Sequence, residues 1–168
     1  MRVDKAGRKL GMDSVSLPQP DVVHDFDVFP FPFANNNSDE VKLFNSHKHF
    51  DDFLVKVREL HRSLNPGGLL RVLSSHYSGP GVYRDPTHKV LFPWTTVGRF
   101  IAALGYRTEG EVRFAMRRRM FGVPDGGTQG PGALVKAFDN RYPDLYERYF
   151  CWMMPAKAMY CELEAIKD

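Results

Sequence analysis

Three titratable side chains share one stretch that is rich in glycine and proline: His76, Asp85 and His88. Histidine titrates near neutral pH and a carboxylate can orient it, so these residue types suit general acid–base catalysis. The same set could hold a divalent metal, but the spacing Asp85-x-x-His88 is not a compact metal-ligand motif. Hydrogen bonding within the loop, with a turn at Asp85-Pro86-Thr87, is the structural alternative. We predict that all three are catalytic, line the substrate side of a pocket and bind no metal.

Four further residues follow short apolar runs, at positions where side chains can face a ligand: Asp13, Asp25, Phe26 and Asn45. A carboxylate such as Asp13 can accept hydrogen bonds from both hydroxyls of a ribose. The structural alternatives are a solvated loop aspartate for Asp13, a turn aspartate beside a core phenylalanine for Asp25, and a helix cap for Asn45.

The clearest element that could position these residues is the segment Phe50–Val72. Its apolar residues recur at helical period, which predicts an amphipathic helix. Asn65-Pro66-Gly67-Gly68 then predicts a sharp turn, and the apolar run that follows predicts a buried strand. A helix, a glycine turn and a buried strand form half of a parallel α/β crossover. In such sheets ligands bind beyond the carboxyl ends of the strands, which is where the residues above lie.

The remaining pattern predicts strands separated by helices first and two long strands last. We expect a mainly parallel sheet with an antiparallel edge. Residues 1–9 are polar, basic and without periodicity, so we expect them to be irregular. The predicted strands cover Leu10–Val15, Asp21–Asp25, Asp39–Asn45, Leu69–Ser75, Glu111–Phe121 and Ala158–Ile166.

Composition sets the broad class. At 168 residues the chain is expected to be one domain, 1–168, large enough to bury a core without disulfides. A net charge of +3 is too small to indicate a nucleic-acid partner. Cys151 and Cys161 provide no disulfide framework, and residues 1–17 contain no apolar signal segment, so we expect a cytoplasmic protein. No run approaches the ~20 apolar residues of a membrane span, so we expect no membrane partner.

Several segments resemble, in order, the class I S-adenosylmethionine-dependent methyltransferases, specifically small bacterial members. The matching pieces are Gly11-Met12-Asp13, Asp21–Phe26 with Phe29–Phe33, Asn37–Val41, Leu64–Leu70, Asp85–Lys89 and Tyr146–Tyr149. The resemblance implies a Rossmann-like α/β fold and S-adenosylmethionine as cofactor. It also implies that Asp13 binds the ribose, that Asp25 and Phe26 meet the adenine, and that Asn45 faces the same ligand.

One departure from that family concerns the cofactor loop. The family begins with a strand and a G-x-G-like loop, whereas residues 1–9 hold one glycine, Gly7, and no apolar strand. We therefore expect the sheet to lack its first strand, which lies centrally in the family, and the binding of S-adenosylmethionine to be weak or undetectable. A sheet with such a gap could recruit a partner chain, so a homo-oligomer is among the outcomes that the sequence allows.

Three functions follow from these residues. The first is an S-adenosylmethionine-dependent methyltransferase, or an N-terminally shortened relative, acting on an unknown small-molecule or macromolecular acceptor. The second is a non-catalytic binding or assembly module derived from a methyltransferase. The third, a metal-dependent hydrolase, depends on His76, Asp85 and His88 forming a metal site.

Overall fold

The chain has an α/β fold built on one mixed sheet. A computed structural model describes residues 2–5, 8–13, 21–44, 52–84, 86, 93–95, 97, 111–124 and 131–168. Its strands are β1 (Arg2–Lys5), β2 (Arg8–Asp13), β3 (Val22–Val23), β4 (Ser38–Phe44), β5 (Leu64–Ser74), β6 (Arg113–Phe121) and β7 (Met159–Ile166). Its helices are α1 (Phe53–Ser63), α2 (Pro131–Arg141), the single turn α3 (Pro143–Leu145), the 3-10 turn Pro80–Val82 and the π-helical segment Tyr146–Phe150.

The strands of the described residues form a seven-stranded sheet in the order β3-β2-β1-β4-β5-β7-β6. The strands β2 and β3 pair in parallel, as do β4 and β5. Following the antiparallel pairings from strand to strand, β2, β3, β4, β5 and β6 run in one direction, whereas β1 and β7 run in the other. The predicted mostly parallel, Rossmann-like sheet with an antiparallel edge is confirmed.

The N-terminal residues correct two expectations. Residues 1–9 were expected to be irregular and the centre of the sheet to be empty, but Arg2–Lys5 forms β1 between β2 and β4. The strand is antiparallel to both neighbours, with Arg2 opposite Gly11 on one side and Lys42 on the other. Pairing on two sides supplies the backbone hydrogen bonds that local sequence pattern does not predict. The central position of the sheet is therefore occupied, but by a strand that runs antiparallel to both of its neighbours.

Helix α1 packs on one face of the sheet. Asp52 caps its N-terminus, because Oδ1 accepts hydrogen bonds from the N–H groups of Leu54 and Val55, each at 3.1 Å. Val57 and Leu60 are both 1% exposed and belong to the apolar cluster that includes the inward-facing residues of β4 and β5. Burying such a side chain stabilises the fold by roughly 1.5–3 kcal/mol, so this helix–sheet contact is a main source of stability.

The opposite face of the central strands carries charges. Glu40 Oε1 lies 2.7 Å from Arg71 Nε on the neighbouring strand, and Arg71 Nε lies 3.3 Å from Glu162 Oε1 on the next. Lys42 Nζ is 2.8 Å from Glu40 Oε2. These four side chains are half-buried and alternate with fully buried apolar residues along β4, β5 and β7. Strands β4, β5 and β7 therefore have one apolar face, and their other face carries ion pairs that connect neighbouring strands.

The connection from β6 to β7 is the longest between neighbouring antiparallel strands. Such strands can be joined by two residues, but here residues 122–158 intervene, including α2, α3 and the π-helical segment. The connection starts at Gly122, whose φ of 91° suits glycine, and its first N–H donates to the Ala158 carbonyl at 2.8 Å.

Among the described residues, no helix combines the length and apolar character that crossing a membrane requires.

Candidate functional site

The predicted ligand side is the edge of the sheet at which the parallel strands end. Strands β2, β3, β4 and β5 end there at Asp13, Val23, Phe44 and Ser74. Because β6 runs in the same direction and β7 in the other, the end of β6 and the start of β7 lie at this edge too. The long connections that follow β5 and β6 therefore begin on the ligand side.

Asp13 and Asp25 lie on neighbouring strand ends. The Cα of Asp13 is the partner of Val23 in the β2–β3 register, and Asp25 follows two residues later. The Asp25 carboxylate is exposed and its Oδ1 accepts a hydrogen bond from the Asp27 N–H at 2.9 Å. The ring of half-buried Phe26 packs edge-on against Phe31, with centroids 6.2 Å apart. The structure thus brings three of the four predicted nucleoside-binding positions to one edge, while Asn45 lies outside the described residues.

Polar side chains of α1 fix the loop that carries Asp25 and Phe26. Lys56, which is 1% exposed, pairs its ammonium with the Asp27 carboxylate. Glu59 Oε2 accepts from the Phe31 N–H at 3.0 Å, and Arg62 donates to the Phe31 carbonyl at 3.1 Å. The three side chains are spaced three residues apart, which places them along one side of the helix.

We call Lys56, Glu59 and Arg62 the anchor on α1, and Arg62 has further partners in the same loop. Its guanidinium also donates to the Phe33 carbonyl at 2.9 Å and to Asn35 Oδ1 at 2.6 Å. Glu59 Oε2 holds the guanidinium at 2.8 Å. Burial raises the pKa of Glu59, but hydrogen bonds from Arg62 and Phe31 outweigh it, so that the pKa lies below the ordinary value. The carboxylate therefore stays ionised and keeps the arginine fork in place.

His76 lies in a buried cluster behind the edge. Its ring is fully buried, with Nδ1 2.8 Å from Ser78 Oγ and Nε2 3.1 Å from Glu147 Oε1. Glu147 also accepts from the Trp94 N–H at 2.5 Å. Burial raises the pKa of Glu147, but the hydrogen bonds from His76 and Trp94 outweigh it, so that the pKa lies below its ordinary value. An ionised carboxylate only accepts, so Nε2 of His76 donates and Nδ1 can accept from Ser78.

Tyr77 and Gly79 connect this cluster to the β6–β7 connection. The Tyr77 hydroxyl lies 3.3 Å from Cys151 Sγ, and the Cys151 thiol donates to the Glu147 carbonyl at 3.1 Å. A Cβ on Gly79 would lie 2.6 Å from the Ala156 carbonyl oxygen, so only glycine permits this approach. The loop after β5 and the connection after β6 are therefore packed against each other.

A cavity of about 580 Å³ opens in the β6–β7 connection. Its walls are mostly apolar, and the polar side chains that line it are Lys136, Asp139 and Lys157. Asp139 is only 5% exposed and its Oδ1 accepts from Asn140 Nδ2 at 2.9 Å. Burial raises the pKa of Asp139 to about 6, although Asn140, Lys136 and His76 act in the opposite direction. A carboxyl group with a pKa near neutral pH can both accept and release a proton under ordinary conditions.

Sequence reasoning located part of this edge. His76 falls at the predicted edge but is enclosed by Ser78, Glu147 and aromatic rings, while Asp85 and His88 lie outside the described residues. Among the described residues, no three His, Cys, Asp or Glu side chains converge in a way that could hold a metal ion. Asp139 and the anchor on α1 were not predicted. The spacing of three between Lys56, Glu59 and Arg62 is the signal that could have identified the anchor.

Solved structures with a similar fold include proteins named as methyltransferases and a protein named as a cyclase. The protein solved with the Haloferax volcanii Trm112 methyltransferase activator, itself named as a methyltransferase, is 17% identical with a TM-score of 0.53, over 86% of this chain and 60% of that one. A Bacillus halodurans C-125 protein named as a methyltransferase is 16% identical with a TM-score of 0.50, over 93% and 79%. The [4+2]-cyclase SpnF is 18% identical with a TM-score of 0.50, over 83% and 53%.

These comparisons establish the fold. The chain has the fold of the class I S-adenosylmethionine-dependent methyltransferases that its sequence resembles. It spans 60% of the first of these structures and 53% of the cyclase. No family profile matches the chain, and no curated protein matches it. Since one neighbour is named as a cyclase, the fold alone does not define the reaction.

Proposed function

We propose that this chain is an S-adenosylmethionine-dependent methyltransferase, or a shortened relative of one. The observation that carries the proposal is the placement of Asp13 and Asp25 on adjacent strand ends of a methyltransferase fold. Ligands of open α/β sheets bind at this edge. Two carboxylate positions and an aromatic surface there match what a nucleoside requires, namely acceptors for hydroxyl and amino groups and a flat apolar face.

The residues present fit the nucleoside half of the cofactor. Asp13 would bind the ribose, and Asp25 and Phe26 would meet the adenine. When bound, S-adenosylmethionine supplies an electrophilic methyl group. The anchor of Lys56, Glu59 and Arg62 would hold the adenine-side loop in one conformation before binding, which lowers the entropy that binding costs.

On the acceptor side, the chain's own contribution would be positioning and exclusion of water. Methyl transfer to a reactive nucleophile depends mainly on proximity and orientation. Buried His76, held between Ser78 and Glu147, would fix the loop after β5 beside the acceptor. Of the three residues predicted to be catalytic, Asp85 and His88 keep that proposed role, whereas enclosed His76 would act as a positioning residue.

A second candidate is a non-catalytic binding or assembly module. The observation that favours it is the direction of β1. In a parallel strand the loop after the strand would lie at the ligand edge, but β1 is reversed, so that Lys5 lies at the edge opposite to Asp13. Backbone N–H groups of the loop after β1 would then be too far from the cofactor to donate hydrogen bonds to it. The contacts that remain would be those of Asp13, Asp25 and Phe26 with the nucleoside.

Isothermal titration of the full chain with S-adenosylmethionine separates the two candidates. We expect weak binding, with a Kd on the order of 0.1–1 mM, because the nucleoside contacts act without backbone N–H donors from a loop after β1. Asp13→Ala and Asp25→Ala should each weaken it roughly 5- to 150-fold, which corresponds to losing a hydrogen bond of about 1–3 kcal/mol. Asp144→Ala, at an exposed position in α3, is the matched control and should leave binding unchanged.

Two outcomes would change the conclusion. Absence of binding at millimolar ligand, in a protein whose thermal unfolding is cooperative, would favour the binding or assembly module. Micromolar binding that Asp13→Ala and Asp25→Ala leave intact would show that the cofactor is held elsewhere on the chain.

A further inference from the structure

The cavity described above lies within the β6–β7 connection. Among the described residues, its lining extends from Gly122 to Ala158 and includes no residue of the strand ends that carry Asp13 and Asp25. Long connections in compact domains are commonly functional, and this one replaces a hairpin that two residues could make. The cavity is therefore a separate structural feature, distinct from the proposed nucleoside site.

The size and walls of the cavity suit a small organic molecule. Its volume of about 580 Å³ falls within the usual range of small-molecule sites. The apolar surface of the lining comes from residues that include Val135, Met154, Pro155 and Ala156. A ligand with a compact apolar body would bury that surface and gain the hydrophobic contribution of doing so.

The charged groups restrict what such a ligand can carry. Lys136 and Lys157 contribute two positive charges to the lining and Asp139 one negative charge, so the lining favours an anion overall. The Asp139 carboxyl is 5% exposed and therefore lies deep in the wall. A ligand ammonium next to Asp139 would be repelled by Lys136, whereas a neutral hydroxyl could donate a hydrogen bond to it without that cost.

We propose that this cavity binds a small hydroxylated organic acid. The hydroxyl donates to Asp139, the apolar body lies against Val135 and Met154, and the acid group lies near Lys136 and Lys157. Each of the three ligand parts thus has a named partner in the connection. Binding requires no cofactor, and the inference stands independently of methyl transfer.

Three probes test the proposal by isothermal titration at pH 7.5: 4-hydroxybenzoate, benzoate and phenol. The first carries both polar groups, and each of the others lacks one. We expect 4-hydroxybenzoate to bind at least fivefold more tightly than either analogue. In Asp139→Ala the preference over benzoate should disappear, and in Lys136→Met the preference over phenol should disappear. Asp144→Ala, outside the cavity, should keep both preferences.

A further variant tests the cavity even if Asp139→Ala or Lys136→Met does not fold correctly. Val135→Trp should fill the cavity and abolish binding of all three probes, with thermal unfolding measured alongside. The proposal is overturned if 4-hydroxybenzoate binds no better than benzoate and phenol. It is also overturned if the preferences survive in Asp139→Ala and Lys136→Met, or if Val135→Trp binds the probes as the original chain does.

Discussion

The Nε2 atom of His76 lies 3.1 Å from Oε1 of Glu147, although 71 positions separate the two residues in sequence. The contact joins the loop after β5 to the π-helical segment of the β6–β7 connection. Because Glu147 is ionised and also accepts from the Trp94 N–H, one half-buried carboxylate connects three segments of the chain. Such a carboxylate is costly to lose, since its donors are left without an equivalent acceptor.

Glu147→Gln should destabilise the chain by about 1–3 kcal/mol at pH 7, because an amide replaces a charge-assisted acceptor. The folded-state pKa of Glu147 lies below its ordinary value of 4.5, so the stabilisation is present above pH 4.5 and is lost as the pH falls through the lowered pKa. Urea denaturation at several pH values measures this. A difference between the two proteins that does not shrink in acid would contradict the charge-based explanation.

Asp139 should have the opposite pH dependence. Its pKa rises from 3.8 to about 6 on folding, so the original chain should lose stability as the pH rises between these values. Asp139→Asn keeps an oxygen that can accept from Asn140 and removes the titration, so it should be more stable at pH 7.5 by on the order of 1–3 kcal/mol. Thermal unfolding from pH 4 to pH 8 tests this, with exposed Asp144→Asn as the control. Parallel stability curves for the two proteins would disprove the assignment.

Arg62→Lys should destabilise the chain by about 1–3 kcal/mol. An ammonium cannot reproduce the fork that reaches the carbonyls of Phe31 and Phe33 together with Glu59. Hydrogen exchange at the Phe31 amide should also become faster, because the loop loses its clamp. Arg58→Lys is the control: Arg58 is exposed and lies 3.9 Å from Glu111, so its replacement should be nearly neutral. Equal effects from the two substitutions would argue against the anchor.

Leu60→Ala should cost about 2–5 kcal/mol, since Leu60 is 1% exposed within the apolar cluster under α1. Val55 on the same helix is 37% exposed, so Val55→Ala should cost well under half as much. Guanidinium denaturation compares the two. Similar midpoints for both variants would mean that the buried face of α1 is assigned incorrectly.

The elements with strong local signals could be predicted from sequence. Helix α1 and strand β7 combine clear periodicity with recognisable boundaries, and the structure places them within a few residues of the predicted ranges. Strand β1 could not be predicted, because Arg2–Lys5 contains one apolar residue and owes its conformation to pairing with two neighbours.

The candidate site divides in the same way. The positions of Asp13, the last residue of β2, and of Asp25, two residues after β3, could be predicted because strand ends are visible in local sequence, while their binding roles stay a prediction. Asp139 and Glu147 acquire their properties from burial and from partners far along the chain, which no local pattern encodes. Glu147 lies within a segment that resembles a family signature, and no sequence pattern singles out Asp139.

The reversed β1 also bears on the order in which the sheet assembles. Its pairing with β2 joins residues close in sequence, whereas its pairing with β4 closes a much longer loop. Strands that are close in sequence pair faster than strands that are far apart, so β1 and β2 should pair before either strand pairs with β4. The pairing of β1 with β4, at the middle of the sheet, would then form last and would join two parts of the sheet that nucleate separately.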